Sequence, residues 1–280
     1  MKKIIVDTGC DYKVLETSNP NIAYAQVPFK INVGDRVYVD DVNLDMTEMI
    51  ADLRSTKEKS GSACPSPQDY LDAFGNADEI YVFTISGPMS GSNNSAVLAA
   101  QMRKEENPDV KIYVMDTLSI GGTMCLLVDK TVEWLEQDLP FETVCANIVE
   151  YRKKVEVVFM LDNIDNLVNN GRMSRVAGLA VNLLGINIML TASDIGHVEV
   201  LGKSRGTAKC MQAIYKQMLK YGYGGGKVVV AYSENKAAAD KMCKIIREYY
   251  PEVEIKIVKM CGLCCYYSYI TGLMVGFELE

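Results

Sequence analysis

Strand-like and helix-like segments alternate along the first half of the chain, and this alternation limits the fold more than any other sequence feature. Apolar runs at residues 3–6, 80–85 and 110–115 each end in a loop, and segments with helical spacing lie between them. Strands separated by helices are typical of a parallel sheet covered by helices. Because ligands bind at the carboxyl ends of such strands, the loops after these three runs are predicted to line one crevice.

The pattern changes after residue 154, where strands begin to follow one another directly. Residues 186–192 and 197–201 have strand patterns on either side of the short turn Asp194-Ile195-Gly196, which indicates antiparallel pairing. We therefore predict an α/β protein of two α/β domains, with a parallel sheet in residues 1–154 and a mixed sheet in residues 155–280. Further predictions are a hairpin about Gly34-Asp35 between strands 22–33 and 36–39, a loop at 60–67, a helix at 175–184, and strands at 157–161, 227–232 and 254–259.

Composition excludes several classes of protein. The chain has 280 residues, a net charge of −7 and a pI near 5.0, which argue against broad nucleic-acid binding. No apolar run reaches about 18 residues and the start is too short for a signal sequence, so we expect a cytoplasmic protein with no membrane span. The nine cysteines are therefore expected to be thiols.

The stretch IYVFTISGPMSGSNNSA at residues 80–96 is predicted to be a strand, a small-residue loop and a helix start. Unpaired N–H groups and hydroxyls gather at such a place and favour a small anionic group. The loop lacks the lysine of a P-loop and the GxGxxG spacing, which disfavours a nucleotide phosphate. Ser62, Ser86, Ser90 and Ser92 together have the hydroxyls to hold a carboxylate, although helix caps and turns also explain serines of this kind.

Catalytic alternatives have weaker support in the sequence. A serine nucleophile needs a base, and His197, the only histidine, is expected at the surface. The GPMSG segment also departs from the GxSxG elbow, so no catalytic residue is assigned. Cys261 and Cys264, followed by Cys265, match a redox or metal half-site, but buried core thiols are the favoured interpretation and no metal site is assigned. A serine- or cysteine-dependent transferase or hydrolase, or a redox or metal module, remains the alternative.

Charged residues offer a second set of candidates. Arg172 follows the turn Asn170-Gly171, and its guanidinium suits a carboxylate or phosphate as well as solvent. Lys203 and Arg205 form a basic turn that suits an acidic partner, a phosphate or a solvated helix start. Five aspartates lack the spacing of a calcium loop and are expected to act mainly in caps and turns; they are Asp7, Asp11, Asp40, Asp41 and Asp116.

Several short motifs, in a fixed order along the chain, resemble those of one family. They are Ile5-Val6-Asp7-Thr8, Val27-Pro28-Phe29 with Tyr38-Val39-Asp40, Ser62-Ala63-Cys64-Pro65-Ser66-Pro67, Ile85-Ser86 with Ser90-Gly91-Ser92, Met115-Asp116-Thr117, Asn170-Gly171-Arg172-Met173-Ser174, and Lys203 with Arg205-Gly206. In this order and spacing the chain resembles the DegV family, bacterial proteins that bind fatty acids, some of which are the binding subunit of a fatty acid kinase.

The resemblance implies two α/β domains with an acyl chain buried between them and no catalytic residue. It implies that Ser62 and Ser90 hold the carboxylate, that Gly91 and Ser92 belong to the same loop, and that Arg172 lies nearby. The partners it implies are a fatty acid, with no further cofactor, and an acyl kinase subunit that Lys203 and Arg205 would contact.

The chain departs from the family pattern at several positions. The C-terminal H-T-G-P-G motif is missing, and Tyr267 falls about where its histidine would be. Ser62 stands in place of threonine, Ala63-Cys64 in place of Ser-Gln, and Gly87-Pro88 alters the loop around the serines.

Overall fold

The computed structural model describes residues 1–174 and 185–280, so the predicted helix at 175–184 lies outside the described residues. The strands are β1 (Lys2–Asp7), β2 (Ile22–Val27), β3 (Lys30–Val33), β4 (Arg36–Val39), β5 (Ser60–Ala63), β6 (Glu79–Thr84), β7 (Lys111–Asp116), β8 (Val155–Leu161), β9 (Ile186–Ala192), β10 (Val198–Arg205), β11 (Val228–Tyr232), β12 (Ile255–Lys259) and β13 (Leu273–Glu278). The described helices are α1 (Met46–Ser55), α2 (Pro67–Phe74), α3 (Ser92–Glu106), α4 (Gly122–Glu136), α5 (Phe141–Arg152), α6 (Asp165–Asn169), α7 (Thr207–Tyr221), α8 (Lys236–Arg247) and α9 (Gly262–Ser268).

The first sheet has four parallel strands in the order β2-β1-β6-β7, as the alternation predicts. Two helices, α1 beside β3 and α2 beside the first sheet, begin where the sequence carries start signals. Asp45 caps α1, and Ser66 forms a capping box with Asp69 at the start of α2. The carboxyl ends of β6 and β7 meet at one edge, which is where the serine loop lies.

The second sheet has six strands in the order β10-β9-β8-β13-β11-β12, and only β11 and β12 are parallel. The predicted mixed sheet is therefore confirmed. The central strand β13 was not predicted, because Gly276 interrupts its short apolar run. All six strands lie at or beyond Val155, while the boundary between residues 154 and 155 stays a prediction.

A third, small antiparallel sheet has the order β4-β3-β5. The hairpin between β3 and β4 is confirmed, but the predicted strand at 22–33 is divided at Pro28 between two sheets. The predicted loop at 60–67 is wrong for its first part, because residues Ser60–Ala63 pair with the edge of β3. Their small side chains carry little strand preference, and the free edge of β3 supplies the pairing. This strand places Ser62.

Helix α4 joins the first and second sheets through a close backbone contact. A Cβ atom on Gly276 of β13 would lie 2.3 Å from the carbonyl carbon of Gly122, the first residue of α4. Only glycine at both positions lets the helix and the strand approach so closely. The contact fixes the separation of the sheets where the cavity described below is enclosed.

None of the helices described in residues 1–174 and 185–280 has the length and apolar character to cross a membrane.

Candidate functional site

An internal cavity of about 320 Å³ lies between the strand-end loops of the first sheet and the face of the second sheet. This volume falls within the range of ~300–1,000 Å³ that is usual for small-molecule sites. Most of the wall is hydrophobic, and both halves of the chain contribute to it. Apolar lining residues include Phe29, Ile85, Phe159, Leu161, Met260 and Leu263.

Ser90 lies at the wall of the cavity, on a loop with local backbone bonds and a bond from Ser86 Oγ to the Gly196 carbonyl at 2.6 Å. The loop begins with a single 3-10 turn, Gly87–Met89, and the Ser90 N–H closes it by donating to the Gly87 carbonyl at 3.2 Å. The Ser92 N–H donates to Ser90 Oγ at 3.2 Å. Gly87 is required because a Cβ there would lie 2.5 Å from an oxygen of Asp116, which accepts from the Gly87 N–H. The departure at Gly87 thus has a local structural reason.

Ser62 lines the same cavity, but its hydroxyl is positioned by a residue from the second half of the chain. Its hydroxyl is 3.0 Å from the hydroxyl of Tyr267, which α9 carries. Tyr266, the preceding residue, bonds Ser60 Oγ at 2.9 Å and accepts from Asn170 Nδ2 at 2.9 Å. Helix α9 is therefore hydrogen-bonded both to strand β5 and to the turn before Arg172.

Arg172, which is half-buried, lies where the cavity meets the surface. It lines both the cavity and an adjoining surface depression of about 610 Å³, as Ser90 and Gly91 do. Its Nε donates to the Met89 carbonyl at 3.2 Å and its Nη1 to the Asn170 carbonyl at 2.6 Å. These bonds hold the guanidinium beside the serine loop, so the mouth combines hydroxyls with a positive charge.

Ser92 differs from the other predicted site residues because its side chain is fully buried behind the loop. Its hydroxyl donates to Asp7 at 2.6 Å and is 2.7 Å from the hydroxyl of Tyr70. Asp7 also accepts from the Ile85 N–H at 3.0 Å, which ties the end of β1 to the end of β6. Burial raises the pKa of Asp7 to about 6, although these hydrogen bonds act in the opposite direction. The Ser92 side chain supports the loop rather than lining the cavity.

Two residues lie at the mouth although the sequence assigned neither of them to the ligand site. His197 is exposed, as predicted, yet it lines both the cavity and the surface depression. Cys64 is an exposed thiol on the cavity wall, close to Gly91. The sequence around His197 gives no sign that this turn lies beside the serine loop, because only the tertiary fold brings the two together.

Two aspartates of the first half of the chain hold the start of α9. Asp40 accepts from the N–H groups of Gly262 at 2.6 Å and Leu263 at 2.7 Å. Asp11 accepts from the Cys261 N–H at 2.9 Å. Both carboxyls are buried, and burial raises the pKa of each, to about 7 for Asp11. These two aspartates cap a helix, as predicted, but across the junction between the two sheets.

The cysteines of the CxxC segment are buried thiols. Burial holds the pKa of both Cys261 and Cys264 well above the ordinary thiol value, and the pKa of Cys265 rises to about 12. Thiolates are the reactive and metal-binding form, so this environment suppresses both chemistries. Within residues 1–174 and 185–280, no group of three metal-ligating side chains comes together.

Lys203 and Arg205 are exposed on β10, the edge strand of the second sheet. Val198, at the start of the same strand, lines the cavity. Neither Lys203 nor Arg205 is among the residues that line the cavity.

Known proteins match this chain in sequence and in fold. A family model described as an uncharacterised protein of the DegV family matches residues 1–270. A DegV domain-containing protein of Streptococcus pneumoniae is 44% identical over 278 residues, and one of Streptococcus gordonii is 36% identical over 277, each covering 99% of both chains.

Two solved structures are also similar to this chain. The Streptococcus pneumoniae fatty acid kinase B3 protein, loaded with linoleic acid, has a TM-score of 0.98 and 44% identity, covering 100% of this chain and 99% of that one. A DegV family protein of Eubacterium eligens, loaded with heptadecanoic acid, has a TM-score of 0.96 and 34% identity, covering 100% of both chains.

Proposed function

Because this chain belongs to the DegV family, we propose that it binds a long-chain fatty acid in the cavity between its two main sheets. The acyl tail occupies the apolar interior, and the carboxylate lies at the mouth between Ser62 and Ser90. The observation that carries the proposal is the polarity of the cavity, which is apolar inside and has hydroxyls and a guanidinium where it adjoins the surface depression. Both solved relatives described above hold a fatty acid.

The two ends of the ligand contribute differently: burial of the tail supplies affinity, and hydrogen bonds to the carboxylate fix its position. Each buried methylene of the tail contributes about 0.8 kcal/mol, so the apolar wall supplies most of the affinity. Hydroxyl donors to a carboxylate form charge-assisted hydrogen bonds, which fix its position. Arg172 adds a positive charge on the solvent side. Tyr267, whose hydroxyl is bonded to that of Ser62, orients this serine and adds a donor.

The arrangement favours binding over catalysis. Among the described residues, the only hydrogen bond to Ser90 Oγ comes from the Ser92 N–H, so no side-chain base activates this serine. We infer that the protein has no catalytic residue of its own and presents the fatty acid carboxylate to an acyl kinase partner. The mouth suits this role because it opens at the surface beside Arg172.

Native mass spectrometry with lipid extraction tests the proposal on freshly purified protein. We expect a stoichiometric adduct of fatty-acid mass, and binding of added C14–C18 acids by emptied protein. The double variant Ser62→Ala with Ser90→Ala should weaken binding several-fold or more while the protein stays folded. Ser55→Ala, which changes an exposed serine at the end of α1, is the matched control.

Three results would contradict the proposal or favour its rivals. Protein that is empty when purified and fails to bind any of the added acids is incompatible with it. Unchanged affinity in the double variant would remove the serines from the site. Turnover of acyl esters that Ser90→Ala abolishes would favour a hydrolase.

The partner contact is tested separately from the ligand site. We propose that Lys203 and Arg205 contact the acyl kinase subunit, because they are exposed, basic and outside the cavity wall. Replacing both by glutamate should lower ATP-dependent acyl phosphate formation with a bacterial fatty acid kinase subunit and leave fatty acid affinity unchanged. Lys241→Glu, an exposed change on α8, serves as the charge control. Equal activity of the two variants would exclude this surface.

A further inference from the structure

We propose that the Ser119 hydroxyl is a polar recognition point inside the cavity, and that the protein binds fatty acids with a hydroxyl group on the acyl chain more tightly than the corresponding unsubstituted acids. The inference names a substrate class for the proposed binding site and rests on that function.

The Ser119 hydroxyl lacks a hydrogen-bond partner in the protein. Ser119 follows β7, is only 2% exposed and lines the cavity. Its backbone groups are both bonded: the N–H donates to Thr117 Oγ1 at 3.3 Å, and the carbonyl accepts from the Ser86 N–H at 3.0 Å. The side-chain hydroxyl forms no hydrogen bond with any residue described in 1–174 and 185–280. This hydroxyl is therefore the polar group that Ser119 offers to the cavity.

The other buried hydroxyls described on the cavity wall differ from that of Ser119, because each of them is bonded within the protein. They are those of Ser86, which donates to the Gly196 carbonyl at 2.6 Å, Thr191, which donates to the Val157 carbonyl at 2.6 Å, and Ser268, which donates to Met260 Sδ at 3.3 Å. Buried polar groups normally have a partner, so the exception at Ser119 points to a partner that the ligand supplies.

The cavity wall beside Ser119 is apolar, so the group that meets its hydroxyl belongs to the acyl chain. Ile120 follows Ser119, and Ile85 directly precedes the residue whose N–H bonds the Ser119 carbonyl; both isoleucines line the cavity. The only basic side chains on the described wall, those of Arg172 and His197, also line the surface depression, whereas Ser119 does not. The position thus suits a neutral polar group within the chain.

A hydroxyl group on the acyl chain matches a serine hydroxyl because each can both donate and accept a hydrogen bond. Water can fill this role while the cavity holds no ligand. An unsubstituted tail displaces the water and leaves the Ser119 hydroxyl unpaired, which lowers affinity, whereas a hydroxylated tail replaces the lost bond. Sites built around a buried hydrogen-bonding group discriminate against analogues that lack its partner for the same reason.

Calorimetry with emptied protein tests the inference by comparing stearic acid with monohydroxystearic acids that carry the hydroxyl at successive carbons of the chain. At one carbon, or at a few adjacent ones, we expect the wild type to bind about three- to tenfold more tightly than it binds stearic acid. Ser119→Ala should reduce the affinity for that isomer to the level of stearic acid. Ser268→Ala removes a cavity-wall hydroxyl that already has a partner; it is the matched control and should keep the preference.

The outcomes separate this inference from the proposed function. No gain for any isomer over stearic acid, an equal gain for every isomer, or a gain that survives Ser119→Ala would overturn the inference alone. Equal weakening of stearic acid and of all isomers by Ser119→Ala would mean that this hydroxyl contacts the carboxylate, which would also overturn it. The wild-type comparison needs no variant, so it tests the preference whatever the stability of Ser119→Ala. Protein that binds none of the acids would instead contradict the proposed function.

Discussion

The two serines of the proposed carboxylate site are held in different ways. Ser90 belongs to a loop closed by its own neighbours, with backbone bonds from Ser92 and at Gly87. Ser62 belongs to the small third sheet, and its hydroxyl bonds Tyr267 from a helix of the other half of the chain. The Ser90 hydroxyl is thus held by a local bond and the Ser62 hydroxyl by a bond across the junction between the sheets. The Ser90 loop is also tied to the second half of the chain, by Arg172 at the Met89 carbonyl and by Ser86 Oγ, which donates to the Gly196 carbonyl at 2.6 Å.

We therefore expect ligand binding and junction packing to be coupled most directly through the hydrogen bond between Ser62 and Tyr267. A change at Tyr267 should affect Ser62 directly while leaving the local bonds of Ser90 intact. A change within the Ser90 loop should affect the ligand without altering how the sheets pack. The predictions below test this separation, beginning with the largest expected effect.

The close contact between α4 and β13 should be the most sensitive point of the junction. Gly276→Ala places a Cβ 2.3 Å from a backbone carbon of Gly122, so we expect a loss of about 2 kcal/mol or more in unfolding free energy. Gly202→Ala, in a strand of the same sheet, meets no atom closer than 3.9 Å and should stay within about 0.5 kcal/mol. Urea unfolding measures both variants, and equal stabilities would contradict the close contact.

Asp40, which caps α9 from across the junction, should contribute more to stability than Asp45, which caps the helix that directly follows it. The two carboxylate oxygens of Asp40 each accept from one buried N–H group. Asp40→Asn replaces one of these oxygens with an NH₂ group, so one N–H loses its acceptor, which should cost about 1–3 kcal/mol of stability. Asp45→Asn changes the exposed N-cap residue directly before α1. Asparagine caps helices as well as aspartate does, so we expect a smaller loss of stability. Thermal unfolding compares the two variants. A larger loss for Asp45→Asn would refute the account of α9.

A double-mutant cycle tests the two serines directly. Tyr267→Phe and Ser62→Ala each remove one partner of the same hydrogen bond, so their effects on fatty acid affinity should overlap. Each should cost about 1 kcal/mol, and the pair should cost clearly less than the sum. Tyr267→Phe combined with Ser90→Ala should be additive. Additivity in both pairs would mean that Tyr267 acts without Ser62.

Sequence reasoning reached the parallel sheet, the mixed sheet and several helix starts, because alternation and capping residues such as Ser66 are local signals. It missed β5, β13 and α9, whose short segments have weak preferences and are stabilised by partners distant in sequence. The same limit applies to the site. Ser62 and Ser90 could be selected from the sequence because their hydroxyls suit a carboxylate. Cys64 and His197 could not, because their positions at the mouth depend on how the sheets pack.

The most direct test of the central claim is a crystal structure of this protein with linoleic acid. We expect the acyl tail between the two main sheets, with the carboxylate oxygens at about 3 Å from the hydroxyls of both Ser62 and Ser90. A tail that lies in the cavity with its carboxylate at the opposite end, or a ligand on the outer surface, would contradict the account.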